Sequence, residues 1–224
     1  MKYRSIALDG PAGAGKSTMA RRLADELGFV YVDTGAIYRT VGYHMNLMGI
    51  GPKDIDGITR LIDDVNLQIT YDEAGAQHMI LNGTDVSGEI RTPEMSMIAS
   101  TISAHKIVRD FLLDTQRDIA RSYNTVMDGR DIGTVVLPRA DVKIYLTASP
   151  EVRAKRRCDQ LAQAGKMVDE KKILQEILKR DEQDMNRPVA PLRQAKDAVL
   201  VDSSAQTPAQ TLKVLLSIVR EKIG

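Results

Sequence analysis

The feature that most constrains this chain of 224 residues is the segment Gly-Pro-Ala-Gly-Ala-Gly-Lys-Ser at 10–17. It completes the pattern G-x-x-x-x-G-K-[S/T], follows the apolar residues 6–8 and opens directly into a helical pattern. Glycines let such a backbone curl so that successive N–H groups hold phosphate oxygens, and the following helix adds its positive N-terminal end. The segment therefore predicts an α/β fold with a phosphate-binding loop between its first strand and first helix.

Two side chains at the end of this phosphate loop carry its chemistry. Lys16 supplies a mobile charge for the outer phosphates, and Ser17 supplies a hydroxyl ligand for Mg²⁺. The alternative, a glycine-rich turn that binds nothing, is disfavoured because a strand precedes the loop and a helix follows it.

The overall charge is nearly balanced, with 31 basic and 30 acidic residues and a formal net charge of +1. This balance argues against duplex nucleic acid or an anionic membrane as the main partner, so we expect no nucleic-acid partner and no membrane partner. Cys158 is the only cysteine, so an internal disulfide cannot form and a cytoplasmic location is expected. The sequence begins without a signal-peptide pattern, and it contains no run of 18 apolar residues.

Strand and helix periods alternate along most of the chain. The pattern predicts helices at 16–27 and 35–47, and a final helix that Thr207 caps and that runs to about 223. The predicted strands are 4–8, 29–32, 125–127, 142–146 and 199–201. Strands that alternate with helices at this spacing indicate a parallel sheet with crossover helices.

The period changes between residues 64 and 88. Leu67, Ile69 and Tyr71 alternate with polar residues, and a second short apolar run leads into Asn82-Gly83, a strong hairpin signal. We therefore predict a small antiparallel β insertion carried on the main domain. The helical stretch from 92 to about 122 is long, and we expect it to break into two helices near 103–105.

Two further motifs follow predicted strands. Asp-Thr-Gly-Ala-Ile-Tyr-Arg at 33–39 would cap a helix, and it would also place Thr34 and Arg39 on the ligand side of the sheet. In the second motif, Asp128 ends an apolar strand, as does the acidic residue that orients Mg²⁺ in phosphate-loop enzymes. Arg130 and Asp131 then lie between two glycines, where both side chains can be exposed; a simple turn ion pair is the alternative.

Two basic clusters lie nearer the C-terminus. The first opens the helix predicted after residue 150 and comprises Arg153, Lys155, Arg156 and Arg157. It precedes a polar stretch at 160–172, and together they suggest a mobile lid, although a plain solvated helix face is the alternative. In the second, Arg180, Asp184 and Arg187 share one helix face, which suits phosphate or base recognition or a surface ion-pair ladder.

These motifs occur together with Ser-Gly-Glu-Ile-Arg-Thr at 87–92 and Asn-Arg-x-x-Ala-Pro-Leu at 186–192. In this combination the chain closely resembles the bacterial cytidylate kinases, P-loop kinases that act on nucleoside monophosphates, over nearly its whole length. The resemblance implies a five-stranded parallel core with flanking helices, and transfer of the γ-phosphoryl group of ATP to CMP or dCMP. It also implies a monophosphate-binding insertion at about 64–100, a short lid at about 153–172, and a core formed by 1–63, 101–152 and 173–224.

The resemblance also implies a role for each site residue. The donor ATP would lie on Gly10, Pro11, Ala12, Gly13, Ala14, Gly15, Lys16, Ser17 and Thr18, and Mg²⁺ would be bound by Ser17 and Asp128. The acceptor would be held by Thr34, Arg39, Ser100, Arg109, Arg130, Asp131, Arg180, Asp184 and Arg187. In this set, Ser100, Arg109 and Asp131 would contact the cytosine edge, and Arg180 and Asp184 the ribose. The catalytic cations would be Lys16, Arg130, Arg156 and Arg187. We expect a monomer.

Two positions depart from the family pattern. Residue 34 is Thr where Ser is also usual, and the phosphate loop ends Ser17-Thr18 where Gly-Thr is common, which leaves open how these two hydroxyls divide their roles.

Two other functions stay open as alternatives. One is a kinase of the same scaffold for a different small acceptor, and the other is a GTP switch, although the chain lacks its Asn-Lys-x-Asp motif. The sequence also leaves open the preference among CMP, dCMP and UMP.

Overall fold

A computed structural model of the protein describes residues 3–163, 165, 167 and 169–224. The strands are β1 (Ser5–Asp9), β2 (Val30–Asp33), β3 (Leu67–Tyr71), β4 (Gln77–Leu81), β5 (Thr84–Asp85), β6 (Thr125–Gly129), β7 (Val142–Thr147) and β8 (Val199–Asp202). Five of them form a sheet in the order β2-β6-β1-β7-β8, and all pairings in this sheet are parallel. The five-stranded parallel sheet is therefore confirmed.

The helices are α1 (Lys16–Leu27), α2 (Thr34–Leu47), α3 (Ile55–Leu61), α4 (Pro93–Ile102), α5 (Lys106–Ser122), α6 (Pro150–Gln163), α7 (Glu170–Asn186) and α8 (Pro208–Ile223). The predicted break near 103–105 separates α4 from α5, and Thr207 caps α8 through a reciprocal capping box with Gln210. The short α3 was not predicted; its signal is Asp54, whose side chain accepts a hydrogen bond from the Gly57 N–H at 2.9 Å. No helix in the described part of the chain has the length and apolarity needed to cross a lipid bilayer.

Two hydrophobic clusters cover the two faces of the main sheet. On one face, Ile6 and Leu8 of β1 pack with Leu23 of α1 and Leu215 of α8, all without measurable exposure. The other cluster joins α2, α4 and α5 to the sheet. The fold is a parallel sheet between two helical layers, which is the architecture that alternating strands and helices predict.

The antiparallel insertion is confirmed as a three-stranded sheet in the order β3-β4-β5. Asn82 and Gly83 both have positive φ, 49° and 84°, as the tight turn of a two-residue hairpin requires. Met79 and Leu81 of β4 belong to the same buried cluster as Ile37 of α2. The insertion therefore packs on the helical layer of the main domain. The exact limits of insertion and lid stay predictions, and residues 164, 166 and 168 of the predicted lid lie outside the described residues.

The parallel register brings the carboxyl ends of the strands to one edge of the sheet. Asp9 is level with Gly129, and Asp33 with Asp128. The segments that follow β1, β2 and β6 therefore begin side by side, at the edge where ligands bind in open parallel sheets.

Candidate active site

The phosphate loop leaves β1 through a backbone that only glycine allows at its first position. Gly10 has φ +150°, and a Cβ there would lie 2.0 Å from the carbonyl oxygen of Leu146. Inside the loop, the Lys16 Nζ donates to the carbonyl oxygen of Pro11 at 2.7 Å. Burial, and then the charge of Arg130, lower the pKa of Lys16 well below its ordinary value. A phosphate anion at this position would offset both effects.

A hydroxyl and a carboxylate meet beside this loop. The Ser17 Oγ donates to Asp128 Oδ2 at 3.0 Å, and the Tyr31 hydroxyl donates to Asp128 Oδ1 at 2.9 Å. Burial, and then the charge of Asp33, raise the pKa of Asp128 to about 6. A cation here would relieve that unfavourable burial, and Mg²⁺ is commonly held by one or two protein oxygens while water completes its shell. Ser17 and Asp128 therefore fit a magnesium ion. Within the described ranges, no set of three or more His, Cys, Asp or Glu side chains forms a metal cage.

A cavity of about 710 Å³ opens in front of the phosphate loop. Of the residues predicted for the site, all but Gly10 and Pro11 line it. Among the described residues, nine basic and four acidic side chains form part of its wall. The excess of positive charge suits a polyanionic ligand.

At one end of the cavity, two arginines converge on the carboxylate of Asp131. Arg109 of α5 contacts Asp131 Oδ2, and Arg187, which follows α7, donates to Oδ1 at 3.2 Å. Both arginines also donate to Ser103, at its carbonyl oxygen and its hydroxyl, each at 3.2 Å. Ser100 lines the cavity near this network. The result is a buried set of donors and acceptors with fixed directions.

A second ion pair joins the turn after β6 to α7. The Arg130 Nε donates to Asp184 Oδ2 at 2.8 Å. The Nε of the neighbouring Arg180 is buried, and it has no hydrogen-bond partner within the described part of the chain. Burial, and then the charge of Arg130, lower the pKa of Arg180 to about 10. Two arginines close together, one of them with an unpartnered buried Nε, would suit a ligand anion.

The start of α2 faces the same cavity. Asp33 caps the helix by accepting from the Ala36 N–H at 2.9 Å, and its other oxygen accepts from Arg39 Nη2 at 3.0 Å. The Thr34 hydroxyl donates to the carbonyl oxygen of Asp128 at 2.7 Å, so it ties α2 to β6. Thr34 and Arg39 thus both line the cavity. The Thr34 hydroxyl is partnered within the protein, whereas the buried Nε of Arg39 has no hydrogen-bond partner among the described residues.

The arginines of α6 have different partners from one another. Arg153, which is 3% exposed, donates to the carbonyl oxygen of Ala12 at 3.0 Å and to both carboxylate oxygens of Asp181 at 3.1 and 2.6 Å. Arg156 donates to the carbonyl oxygen of Ser203 at 2.7 Å and to its hydroxyl at 3.2 Å. Arg153 therefore holds the phosphate loop against α7, and Arg156 holds the loop after β8.

Sequence reasoning missed several residues of this site. Tyr38 lines the cavity, and the Arg109 guanidinium lies 5.6 Å from the centre of its ring. Its signal was its position four residues after Thr34, which puts both on one helix face. Asp181 and the anchoring role of Arg153 carried no local signal, because these two partners lie 28 residues apart in the chain. Ser103 was missed as well, since its hydroxyl meets Arg187, 84 residues away.

A phosphate loop on a five-stranded parallel sheet, opening into a basic cavity with a second binding end, defines a P-loop kinase. The family model described as "Cytidylate kinase" matches residues 6–221. The chain therefore belongs to the cytidylate kinase family, and the resemblance inferred from its motifs is confirmed.

Individual relatives agree with this assignment. The chain is 45% identical to a cytidylate kinase of Caldicellulosiruptor saccharolyticus, over 100% of this chain and 99% of that protein. It is 46% identical to a cytidylate kinase of Caldicellulosiruptor bescii, over 97% and 96%. Among solved structures, an uncharacterized protein from Eubacterium ventriosum covers 97% of this chain and 98% of its own, with a TM-score of 0.54 and 11% identity. That last likeness concerns the fold alone.

Proposed function

We propose that the protein transfers the γ-phosphoryl group of ATP to CMP or dCMP and releases ADP and (d)CDP. The observation that carries this proposal is the buried carboxylate of Asp131 between Arg109 and Arg187. Cytosine presents an amine donor beside ring acceptors, so a carboxylate and a guanidinium match its edge. Uracil would turn a carbonyl toward the same carboxylate and leave both unpaired.

The donor is proposed to occupy the phosphate loop at 10–18. Its backbone N–H groups would hold the phosphates, Lys16 would contact the outer ones, and Ser17 with Asp128 would hold Mg²⁺. The metal would supply charge neutralisation between the phosphates. Thr18 also lines the cavity, so a second hydroxyl is available beside Ser17.

The acceptor is proposed to lie between α2 and α7. Thr34, Arg39 and Arg130 would hold its phosphate, and Arg180 and Asp184 would contact the ribose. Arg187 would bridge base and phosphate, because it is already fixed on Asp131. The acceptor is itself an anion, so the reaction needs alignment and charge neutralisation more than a strong base.

Charge neutralisation during transfer is proposed for Lys16, Arg130, Arg156 and Arg187. Arg156 would have to exchange its contacts with Ser203 for the ligand, since its guanidinium now donates to that residue. The predicted lid at 153–172 is where such a rearrangement would start, and closing it would exclude water from the transferred phosphate.

A coupled assay with ATP and a panel of acceptors tests the proposal. We expect CMP and dCMP to give the highest kcat/KM, with UMP at least tenfold lower. AMP, GMP and non-nucleotide acceptors serve as controls. Preference for any of these controls would favour the other kinase on the same scaffold, and GTP binding in preference to ATP would favour the GTP switch.

The cavity walls bear on the oligomeric state of the protein. Described residues of one chain form the walls of both ends of the cavity, so transfer needs no second copy, and we propose a monomer. Light scattering after size exclusion tests this, and a dimer at micromolar concentration would contradict it.

The proposed reaction also requires Mg²⁺. Removal of Mg²⁺ with a chelator should abolish turnover, and added Mg²⁺ should restore it. The cytoplasmic location stays a prediction.

A further inference from the structure

Asp9 is a buried carboxylate that none of the roles above uses. It ends β1 immediately before the phosphate loop and is 4% exposed. Its Oδ1 accepts from the N–H of Ile132 and its Oδ2 from the N–H of Gly133, both at 2.7 Å. These two donors directly follow the pair Arg130-Asp131, so one carboxylate joins the entrance of the donor loop to the segment that faces the acceptor.

The environment of this carboxylate is unfavourable for its charge. The pKa of Asp9 is raised to about 6, mainly by burial and to a smaller extent by the charge of Asp131. The backbone donors at Gly133 and Ile132 and the charge of Lys16 lower the pKa and offset part of this rise. An ionised carboxylate kept in such a place at neutral pH suggests a functional constraint. The approach is also close, since a Cβ on Gly133 would lie 3.3 Å from Asp9 Oδ2.

The segment that Asp9 holds is anchored at both ends. Arg117 donates to the carbonyl oxygens of Val135 and Val136 at 3.1 and 3.0 Å, whereas Asp9 holds the two backbone N–H groups next to Asp131. Asp131 lies outside regular helix and strand geometry, with φ −147° and ψ 26°, between β6 and a π-helical turn at Ile132–Val136. A displacement of the backbone at residue 132 would therefore be passed directly to the Asp131 carboxylate. A positional error of about 1 Å is enough to lose a large part of a well-aligned interaction.

We infer that Asp9 is a positioning residue, which holds the backbone after Arg130-Asp131 against the end of β1 and so fixes the base-binding carboxylate relative to the phosphate loop. This inference rests on the proposed function. The donor loop has separate anchors, in the Arg153 contact to Ala12 and the fit of Gly10 under Leu146. Loss of Asp9 should therefore weaken binding of the acceptor far more than binding of the donor.

The other end of the same strand offers a matched control. Asp141 accepts from the Ser5 N–H at 2.9 Å and pairs with Arg4 at 3.2 Å. Each end of β1 is thus tethered by an aspartate to a backbone N–H, but Asp141 lies at the edge of the sheet opposite the cavity. Asp141→Asn changes the same kind of contact on the same strand without touching the acceptor segment.

The first experiment measures equilibrium binding of CMP, UMP and an ATP analogue by calorimetry. In Asp9→Asn one amide oxygen can accept one N–H, while the amide nitrogen faces the other donor, so the tether is weakened with little change in volume. We expect CMP to bind at least tenfold more weakly and the gap between CMP and UMP to narrow. The ATP analogue should change by less than about threefold, and Asp141→Asn should leave all three unchanged. Unchanged CMP binding in Asp9→Asn, or an equal loss in Asp141→Asn, would overturn the inference.

The second experiment tests whether Asp9 acts through Asp131. In an Asp131→Ala background, Asp9→Asn should cause no further loss of CMP over UMP selectivity, whereas independent effects would multiply. If Asp9→Asn does not fold, Gly133→Ala is the second variant: its Cβ would lie 3.3 Å from Asp9 Oδ2 and 3.1 Å from the Lys143 side chain. Crowding of this contact should weaken CMP binding about threefold. A wild-type protein that neither binds nor phosphorylates CMP would instead refute the proposed function. Wild-type activity together with multiplicative effects would refute only the role of Asp9.

Discussion

The two ends of the cavity are built in different ways. The proposed donor end consists of one continuous segment at 10–18, a loop that leads into the N-terminus of α1. The proposed acceptor end consists of side chains from α2, α4, α5, α7 and the turn after β6, which meet only in the folded protein. A backbone-built site can be recognised from a contiguous motif, and a side-chain-built site is recognised only when its pieces are known to meet.

Their charges differ as well. At the acceptor end most cations already have a carboxylate partner, as Arg130 has Asp184 and Arg39 has Asp33. At the proposed donor end, Lys16 has only a carbonyl oxygen as its hydrogen-bond acceptor among the described residues. We therefore expect substitutions at the donor end to remove catalysis outright, and substitutions at the acceptor end to change which ligand is preferred.

The largest effect is expected for Lys16→Ala. Turnover should fall by at least about 100-fold, because the charge that faces the transferred phosphate is lost. The control is Lys155→Ala, an exposed lysine of α6 outside the cavity wall, which should retain full activity. Steady-state kinetics and circular dichroism check both variants. More than about a tenth of wild-type turnover in Lys16→Ala would contradict the assignment.

Asp131→Ala should change specificity most strongly. We expect kcat/KM for CMP to fall about 100-fold. The kcat/KM for UMP should fall much less, because uracil makes no favourable contact with the carboxylate. Arg109 and Arg187 also lose their shared partner, so thermal unfolding must be measured alongside. Discrimination between CMP and UMP that stays at the wild-type ratio would show that Asp131 does not contact the base.

Asp184→Ala should have a moderate effect that depends on the sugar. A carboxylate that loses a hydroxyl partner costs about 1–3 kcal/mol, unless water replaces it. If Asp184 contacts the 2′-hydroxyl, kcat/KM should therefore fall more for CMP than for dCMP. If it contacts only the 3′-hydroxyl, kcat/KM should fall equally for both acceptors. The Arg130 contact at 2.8 Å adds a loss common to both acceptors. Kinetics with CMP and dCMP decide between these cases, and unchanged efficiency with both would leave Asp184 as a structural ion-pair residue.

The last prediction concerns the pH dependence of stability rather than turnover, and it involves Asp9. Its pKa is raised to about 6 from an ordinary 3.8, so its contribution to stability is complete below pH 3.8 and is lost as pH rises through about 6. The free energy of unfolding of the wild type falls by about 3 kcal/mol over this pH range because of Asp9, and Asp9→Asn lacks this pH-dependent change. We expect the Tm difference, wild type minus Asp9→Asn, to fall between pH 4.5 and 7.5. A difference that rises or stays constant would show that Asp9 is not buried at a cost.

Much of the fold was predictable from local patterns. The strands at the phosphate loop and at residues 142–147, and the helices α1, α2 and α8, follow from hydrophobic period and capping signals, with ends displaced by at most two residues. The hairpin followed from Asn82-Gly83, because few sequences adopt two successive positive φ values. The short α3 was missed, since one capping aspartate before seven residues is a weak signal.

The phosphate loop, and with it the proposed donor site, could be predicted from sequence, because its chemistry lies within one contiguous segment and its neighbouring strand and helix. The residues proposed for the acceptor also came from the sequence, through motifs that resemble a known family. Only the tertiary structure decided their pairing: that Arg109 and Arg187 share Asp131, that Arg153 anchors the phosphate loop to Asp181, and that Asp9 holds the turn after β6. These contacts join residues between 22 and 124 positions apart. A local pattern carries no information about which distant side chains the packing of helices on the sheet will bring together.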